Sequence, residues 1–395
     1  MLVDNASTDG VLDRVETAWP DLKVIRSERN VGYGAANNLA LHDRAGIEYV
    51  GLVNPDAFVP SDWLRPLVRT LTDDRTLGAA CPKIILTGQY TGLSISSRDS
   101  AGRRPGRHQG VVRISGVRVD GHDVTERARV VSGEEGRDPV GHWIGSESYL
   151  RVPIDSRSSR HSVSLRLDAH APTIVNLRSG SVDVRQAVSN IPNWYECRLD
   201  GAAVTLVNNV GTNLVEDGYA ADRGWLDVDD GQFDLPSDVF AWCGASVLLR
   251  GDYLDDVGLF DERLFLYYED VELAWRGRSR GWNYRLAPTS VVAHDHSTST
   301  VEGSALFDHL NERNHLLVVT RHGSPGLLSR AWSRHVLVTM SYARRDLIAS
   351  WLRGRSGNAV TVRRRIRAFA AALRFAPGML RSRAHDARRR IRPRR

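Results

Sequence analysis

Cysteine and lysine are scarce in this chain of 395 residues, and long apolar runs are missing altogether. Three cysteines, Cys81, Cys197 and Cys243, are too few and too scattered for a disulfide framework, and without a CxxC pair they offer no zinc site. A reducing, cytosolic setting is the expectation. No stretch approaches the roughly 18 apolar residues that cross a bilayer, and Met1 leads into polar Asp4-Asn5 rather than into a basic and then apolar signal. The expectation is therefore a chain that is neither exported nor membrane-spanning. Only Lys23 and Lys83 are lysines, so arginine supplies nearly all of the 53 basic residues, a bias in keeping with a GC-rich coding sequence as much as with chemistry.

What is present is enough to bury one large core or two ordinary ones: 42% of residues are hydrophobic and 25% charged. The net charge of +6 is unevenly spread. From Arg321 to Arg395, 20 arginines face only Asp346 and Asp386, so this segment is strongly basic and the remainder is net acidic. No nucleic-acid reading module accompanies the arginines, and nucleic acid is not an expected partner.

Residues 1–90 alternate short apolar strands with helical segments. Leu2-Val3 precedes the polar turn Asp4 to Gly10, a helix over about 11–19 follows, then a strand over 23–26. A glycine-containing loop, Asn30 to Gly34, opens a second helix, and Tyr49 to Val53 reads as a buried strand ending in Asn54-Pro55-Asp56. This alternation predicts a parallel sheet, whose ligands gather at the carboxyl ends of the strands. Over about 91–205 helical periodicity gives way to period-2 stretches between Gly, Ser, Asp and Pro clusters, which predicts an inserted antiparallel β-domain of sandwich type. Mixed α/β character returns over 206–320, and 321–395 reads as a basic helical tail with a frayed end from Arg388 to Arg395.

Five segments carry candidate chemistry. The Asp4 to Gly10 turn sits where a base or ribose can be gripped, although a solvated turn before a helix explains it equally. The loop from Asn30 permits close approach to a ligand, or merely serves its own turn. Asp56, just past a buried strand, is placed to share a divalent cation with substrate phosphates, or is merely a loop residue leading into the helix at Ser61-Asp62-Trp63-Leu64. An acidic pair, Glu269-Asp270, lies between Leu264-Phe265-Leu266-Tyr267-Tyr268 and a charged helix. Partial desolvation beside aromatic walls raises a carboxylate's basicity and suits it to take a proton from a hydroxyl, while the same acids also favour a helix N-terminus. Finally, His294 and His296 at i, i+2 share one face of a strand, where one can complete a metal site or contact a diphosphate.

Taken together, these segments resemble the inverting family 2 glycosyltransferases of GT-A fold, in particular their bacterial rhamnosyltransferase-like branch. Residues 2–10 are similar to that family's VDNASTDG turn, Asn30 to Asn38 to its NxGxxxxxN segment, and Val53 to Ala57 to its LNPDA strand end. Trp242-Cys243-Gly244-Ala245 precedes a stretch similar to its GxFDExFFxYxEDxDLxxR signature, and His294 to Ser299 resembles its HxHxxS element. The resemblance covers about 1–86 and 207–320.

It implies a Rossmann-like, mostly parallel GT-A sheet and transfer of a sugar from a nucleotide-diphosphate sugar to a glycan or lipid-linked acceptor in cell-envelope polysaccharide synthesis. Carried over by position, Asp4, Asn30, Gly32 and Asp56 bind the nucleotide sugar, and Asp270 is the catalytic base with Glu269 beside it. Asp56 and His294 hold Mg²⁺ or Mn²⁺, while Trp242 and Tyr268 touch the acceptor. The family's metal-binding DxD is here Asn54-Pro55-Asp56, with one carboxylate rather than two. The tail is expected to hold the enzyme on the anionic cytoplasmic face of the membrane. In the resembled family an apolar strand and a helix precede the VDNASTDG turn, so the further expectation is a chain short of that start. The competing reading is a decayed, carbohydrate-binding copy.

Overall fold

The computed structural model describes residues 1–97, 111–138, 140–155, 158, 160–296, 304–352 and 359–389. The strand β1 (Leu2–Asp4) pairs in parallel with β2 (Val24–Arg26) as a separate two-stranded sheet, with helix α1 (Val11–Ala18) between them. Helix α2 (Tyr33–Leu41) begins after Gly32, whose φ of 90° places it in the left-handed region. A Cβ there would lie 2.2 Å from the Phe265 carbonyl oxygen, so only glycine lets the loop dock on that carbonyl. The α2 side chain Asn38 then locks onto Phe260, donating to its carbonyl at 3.0 Å and accepting from its N–H at 3.1 Å.

The main sheet gathers β3 (Tyr49–Val53), β4 (Ala57–Phe58), β5 (Leu77–Leu86), β15 (Val207–Asn209), β18 (Ser237–Asp238), β19 (Ser246–Arg250) and β20 (Asn283–His294). Its order is β18-β20-β5-β19-β3, with β15 beside β5 and β4 beside β20. Helix α3 (Leu64–Asp73) joins β3 to β5, which run in the same direction as a strand–helix–strand alternation predicts. They are not neighbours, because β19 slots between them and runs antiparallel to both. Among the described residues of this sheet only β5 and β20 pair in parallel, so the expected mostly parallel sheet is corrected to a mixed one. The intruder comes from far along the chain, which local alternation cannot foretell. Nearly every residue of β5 is buried, as suits a central strand covered on both faces.

The second sheet is wholly antiparallel and has nine strands: β6 (Gln89–Ser97), β7 (Val112–Val119), β8 (His122–Asp123), β9 (Arg129–Asp138), β10 (Gly141–Ile154), β11 (His161–Ala169), β12 (Thr173–Ser179), β13 (Val182–Val188) and β14 (Asn193–Leu199). Alternating burial along β11 and β12 turns Val163, Leu165, Leu167, Val175 and Leu177 onto a core of its own. The expected two-sheet sandwich is instead one sheet curled on itself, with the end strand β14 packed across β6, β12 and β13. Irregular register along the 14-residue β10 accommodates the bend.

Two short strands, β16 (Thr212–Leu214) and β17 (Ala220–Asp222), lead back to the main sheet, and α4 (Gly251–Val257) and α5 (Glu269–Arg278) cover it. The remaining helices are α6 (Ala305–His322), α7 (Pro325–Ala343), the short α8 (Ala349–Leu352) and α9 (Val360–Arg389). Ser304 and Ser324 cap α6 and α7 by accepting from the third N–H beyond, and Pro325 occupies the first turn of α7. Helix α9 packs along α6 rather than standing off as a tail, with Val362, Ala368, Ala372 and Met379 buried. Arg388 and Arg389 continue it, and the rest of the predicted frayed end lies outside the described residues.

Candidate active site

The backbone ahead of α5 is strained. Phe265, Tyr267 and Tyr268 all have φ between 64° and 69°, a region that costs non-glycine residues energy unless their surroundings hold them there. The holder is Asn314 of α6, fully buried, whose amide nitrogen reaches the carbonyls of Leu264, Leu266 and Tyr267 at 2.7–2.9 Å. Arg313 adds a bond to the Leu264 carbonyl at 2.6 Å. The turn in turn offers the Phe265 carbonyl to the Tyr33 N–H at 2.7 Å, which ties the Asn30 loop to it. Neither Asn314 nor Tyr33 was marked by the sequence motifs. The polar run Asn311-Glu312-Arg313-Asn314-His315, set just before the apolar stretch Leu316 to Val319, is the available signal.

Asp270 and Glu269, adjacent in sequence, occupy different surroundings. Asp270 is half-buried and accepts from the N–H groups of Val271 at 2.7 Å and Gly244 at 3.0 Å. Burial nevertheless lifts its carboxyl above the usual aspartate range. Glu269 is 6% exposed, and its Oε2 has no hydrogen-bond partner. Burial, followed by the neighbouring Asp270 charge, raises it well above 4.5. Burial thus raises both carboxyls, and the adjacent Asp270 charge adds to the rise at Glu269.

Gly244 and Ala245 form the hub of the site. Besides the bond to Asp270, the Gly244 carbonyl accepts from the Tyr33 hydroxyl at 2.6 Å, and the Ala245 carbonyl accepts from the Asn54 N–H at 2.9 Å. Around that hub the structure brings the predicted residues together in three groups. In the first, Asn30 Oδ1 accepts from its own loop at Gly32 N and from the Asn5 amide, both at 3.0 Å, while Asn5 Oδ1 accepts from Val31 N at 2.9 Å. Asp4 closes the adjoining turn through Ser7 N at 3.1 Å. The second group is the Glu269-Asp270 pair.

The third group joins the turn between β3 and β4 to the end of β20. His294 Nε2 lies 3.2 Å from Asp56 Oδ1, and its Nδ1 lies 2.8 Å from Asn208 Oδ1. Asn208 thus orients the ring, a part absent from the predicted set. His296 sits 5.7 Å from His294 between ring centroids, and burial, then the His294 charge, pulls it down to about 4. A neutral imidazole at ordinary pH is the form that binds metals. Among the described residues no three metal-type ligands converge, and Asp56 and His294 face each other as a carboxylate–imidazole pair. That set fits an ion whose other ligands come from phosphates. Ser297 and Ser299 of the histidine motif lie outside the described residues.

Trp242 and Tyr268 do not serve as predicted. Trp242 is fully buried in the main core, and Tyr268 is 7% exposed with its hydroxyl accepting from Ala220 N at 3.2 Å. Both are packing residues, and neither ring reaches a surface that an acceptor can touch. The inserted sheet, by contrast, reaches the site. Arg129 donates to the His296 carbonyl at 3.2 Å and Arg127 to the Thr87 carbonyl at 3.0 Å, while Trp225, from outside the insert, lies 4.8 Å from the His296 ring.

Comparison with known proteins finds similarity in the amino-terminal part of the chain, where residues 1–109 match the family model of glycosyl transferase family 2. Two curated relatives, both N-acetylglucosaminyl-diphospho-decaprenol L-rhamnosyltransferases from strains of Mycobacterium tuberculosis, are each 36% identical over 81 residues, 20% of this chain. The match spans about a quarter (26%) of the length of those relatives. Among solved structures, GalNAc-T7 with UDP, GalNAc and Mn²⁺ aligns over 81% of this chain and 41% of its own, at 14% identity and a TM-score of 0.41.

Proposed function

We propose that the chain transfers a sugar from a nucleotide-diphosphate donor to a glycan or lipid-linked acceptor, with inversion at the anomeric carbon. The observation that carries this reading is the Asp270 carboxylate. It is held by two backbone N–H groups, and burial raises its basicity. The Asn30 loop and the Asp4 turn lie on one side of the Gly244 hub and would hold the nucleotide. Asp56 and His294 would hold Mg²⁺ or Mn²⁺ with the donor diphosphate, where such an ion offsets charge on the leaving phosphate. Asp270 takes the acceptor hydroxyl proton as the new C–O bond forms and the anomeric C–O bond to phosphate breaks.

Support for a lipid-linked acceptor comes from the curated relatives, named for N-acetylglucosaminyl-diphospho-decaprenol, and from α9. Its outer face exposes Ile366, Leu373 and Leu380 at seven-residue spacing, each followed by an exposed arginine, Arg367, Arg374 and Arg381. An apolar stripe edged by cations suits the surface of an anionic membrane. No described helix is long and apolar enough to cross one.

The test is a panel of nucleotide sugars with the purified chain, reading both binding and transfer. Asp270→Asn is expected to keep donor binding and to lower transfer by roughly 10²- to 10⁴-fold, the range for a lost general base. Activity lost only in Glu269→Gln would move the role to the neighbour. Excess EDTA is expected to abolish transfer and weaken donor binding, and full activity in EDTA would refute the ion's part.

A further inference from the structure

A cavity of about 240 Å³ lies on the inserted sheet, away from the Gly244 hub, with Ser94, Tyr149, Arg151 and Arg178 in its wall. Pockets for drug-sized ligands run to roughly 300–1,000 Å³, so this one is sized for a single small ring or less. It is built on close approaches. A Cβ on Gly92 would lie 1.9 Å from the Tyr149 hydroxyl, and one on Gly201 would lie 2.6 Å from Thr91 Oγ1. Side chains at either position would force these neighbours to move.

Its chemistry centres on Arg151. The guanidinium stacks 5.0 Å from the Tyr149 ring centroid, which fixes its plane without neutralising its charge. Its Nε is buried and has no hydrogen-bond partner, and no ion pair of Arg151 is found among the described residues. Arg178 differs, since Asp183 already accepts from it at 2.9 Å. Arg151 is half-buried with no carboxylate beside it, and the planar fork of its guanidinium suits carboxylate or phosphate oxygens. Ser94 adds a hydroxyl at the same wall. Ala202 and Val204 add an apolar side that suits the C–H face of a sugar ring.

We propose that this cavity binds an anionic saccharide, a single sugar ring bearing a carboxylate or a phosphate, with Arg151 as the anion contact and Tyr149 as its positioning residue. The cavity adjoins the neck of the insert. Val204 pairs with Tyr90 through two backbone bonds of 2.8 and 2.9 Å, and Tyr90 packs in one cluster with Leu206 and Trp225, the neighbour of His296. A ligand here is thus held on the element that touches the histidine end of the transfer site. The site extends the acceptor reading above, and rests on it only for the destiny of the bound sugar.

The experiment is titration of the full chain, without donor, by calorimetry or ligand-observed NMR, using glucuronate, glucose 6-phosphate, glucose and inorganic phosphate. Saturable binding of glucuronate or glucose 6-phosphate, with glucose at least tenfold weaker, is the expected result. The carboxylate and phosphate arms say which anion the site prefers. Arg151→Gln is expected to weaken that binding at least tenfold, while Asp270→Asn leaves it unchanged. Glucose binding as tightly as glucuronate, absence of any anionic-sugar binding at millimolar concentration, or wild-type affinity in a folded Arg151→Gln overturns the proposal. Inorganic phosphate binding as tightly as glucose 6-phosphate overturns the saccharide assignment. Should Arg151→Gln fail to fold, the wild-type comparison of charged with neutral sugar decides alone. Because no donor is present, failure here leaves the transfer reading standing, and loss of transfer in Asp270→Asn leaves this one standing.

Discussion

Glu269 and Asp270 differ in one methylene and one position, yet the fold gives them different surroundings, since Asp270 accepts from two backbone N–H groups while Glu269 Oε2 has no hydrogen-bond partner. A carboxyl whose folded pKa is raised adds stability that is complete below its unfolded value and is lost as pH rises through the folded one. Glu269 belongs to this class, since its value stands well above 4.5. Glu272, three residues further along α5, belongs to the reverse class. Burial pushes it up, but Arg276, Arg321 and His322 outweigh burial and hold it well below 4.5, so its contribution disappears as pH falls. Glu269→Gln is therefore expected to gain stability relative to wild type as pH rises from about 5 to about 9, in thermal melts across that range. A difference that stays flat with pH would mean that the fold does not raise the Glu269 carboxyl.

At the scale of elements, α6 and α9 do more than close the fold. Helix α6 pins the strained turn through Asn314, and Arg321 links Asp261, Glu272 and Asp386 at 2.7–2.9 Å, so α9 braces the far side of α5. The arginine-rich region is thus two-sided: inner arginines pair within the protein, as Arg365 does with Glu312 at 2.6 Å, and outer ones flank the apolar stripe. If the outer face meets membrane, replacing Arg367, Arg374 and Arg381 together by Gln should cost about 1 kcal/mol each in affinity for anionic vesicles. Co-sedimentation reads this loss. It should leave neutral vesicles unaffected, and unchanged binding to anionic ones would assign the stripe to another partner.

Across the whole molecule, two sheets with separate cores meet at a small neck where the insert's arginines touch the histidine motif. That contact gives the insert a way to influence transfer without supplying a catalytic group. Arg127→Ala with Arg129→Ala is expected to leave the fold intact and to raise the acceptor KM several-fold while donor affinity changes little. Steady-state kinetics with each substrate varied in turn would check it, and an unchanged acceptor KM would show the neck to be structural only.

Much was legible in the sequence because it is local. Residue spacing located β1, α1, α2, β3 and the texture change to period-2 alternation, and the motif segments held the residues that the hub collects. The sheet's order was not legible, since β19 joins β3 and β5 by pairing across nearly 200 residues, a choice made by packing rather than by local propensity. The same holds for Trp242 and Tyr268, aromatic residues whose identity suits either a sugar platform or a core, and which burial alone assigned to the core. Asn314 and Asn208 were invisible for the converse reason. An asparagine carries no periodicity or motif of its own, and its importance arises only when the folded chain brings carbonyls or a histidine within hydrogen-bond reach. The sequence by itself determined which groups are available for chemistry, and the tertiary structure decided which of them are desolvated, paired and oriented, because those properties belong to neighbours distant along the chain.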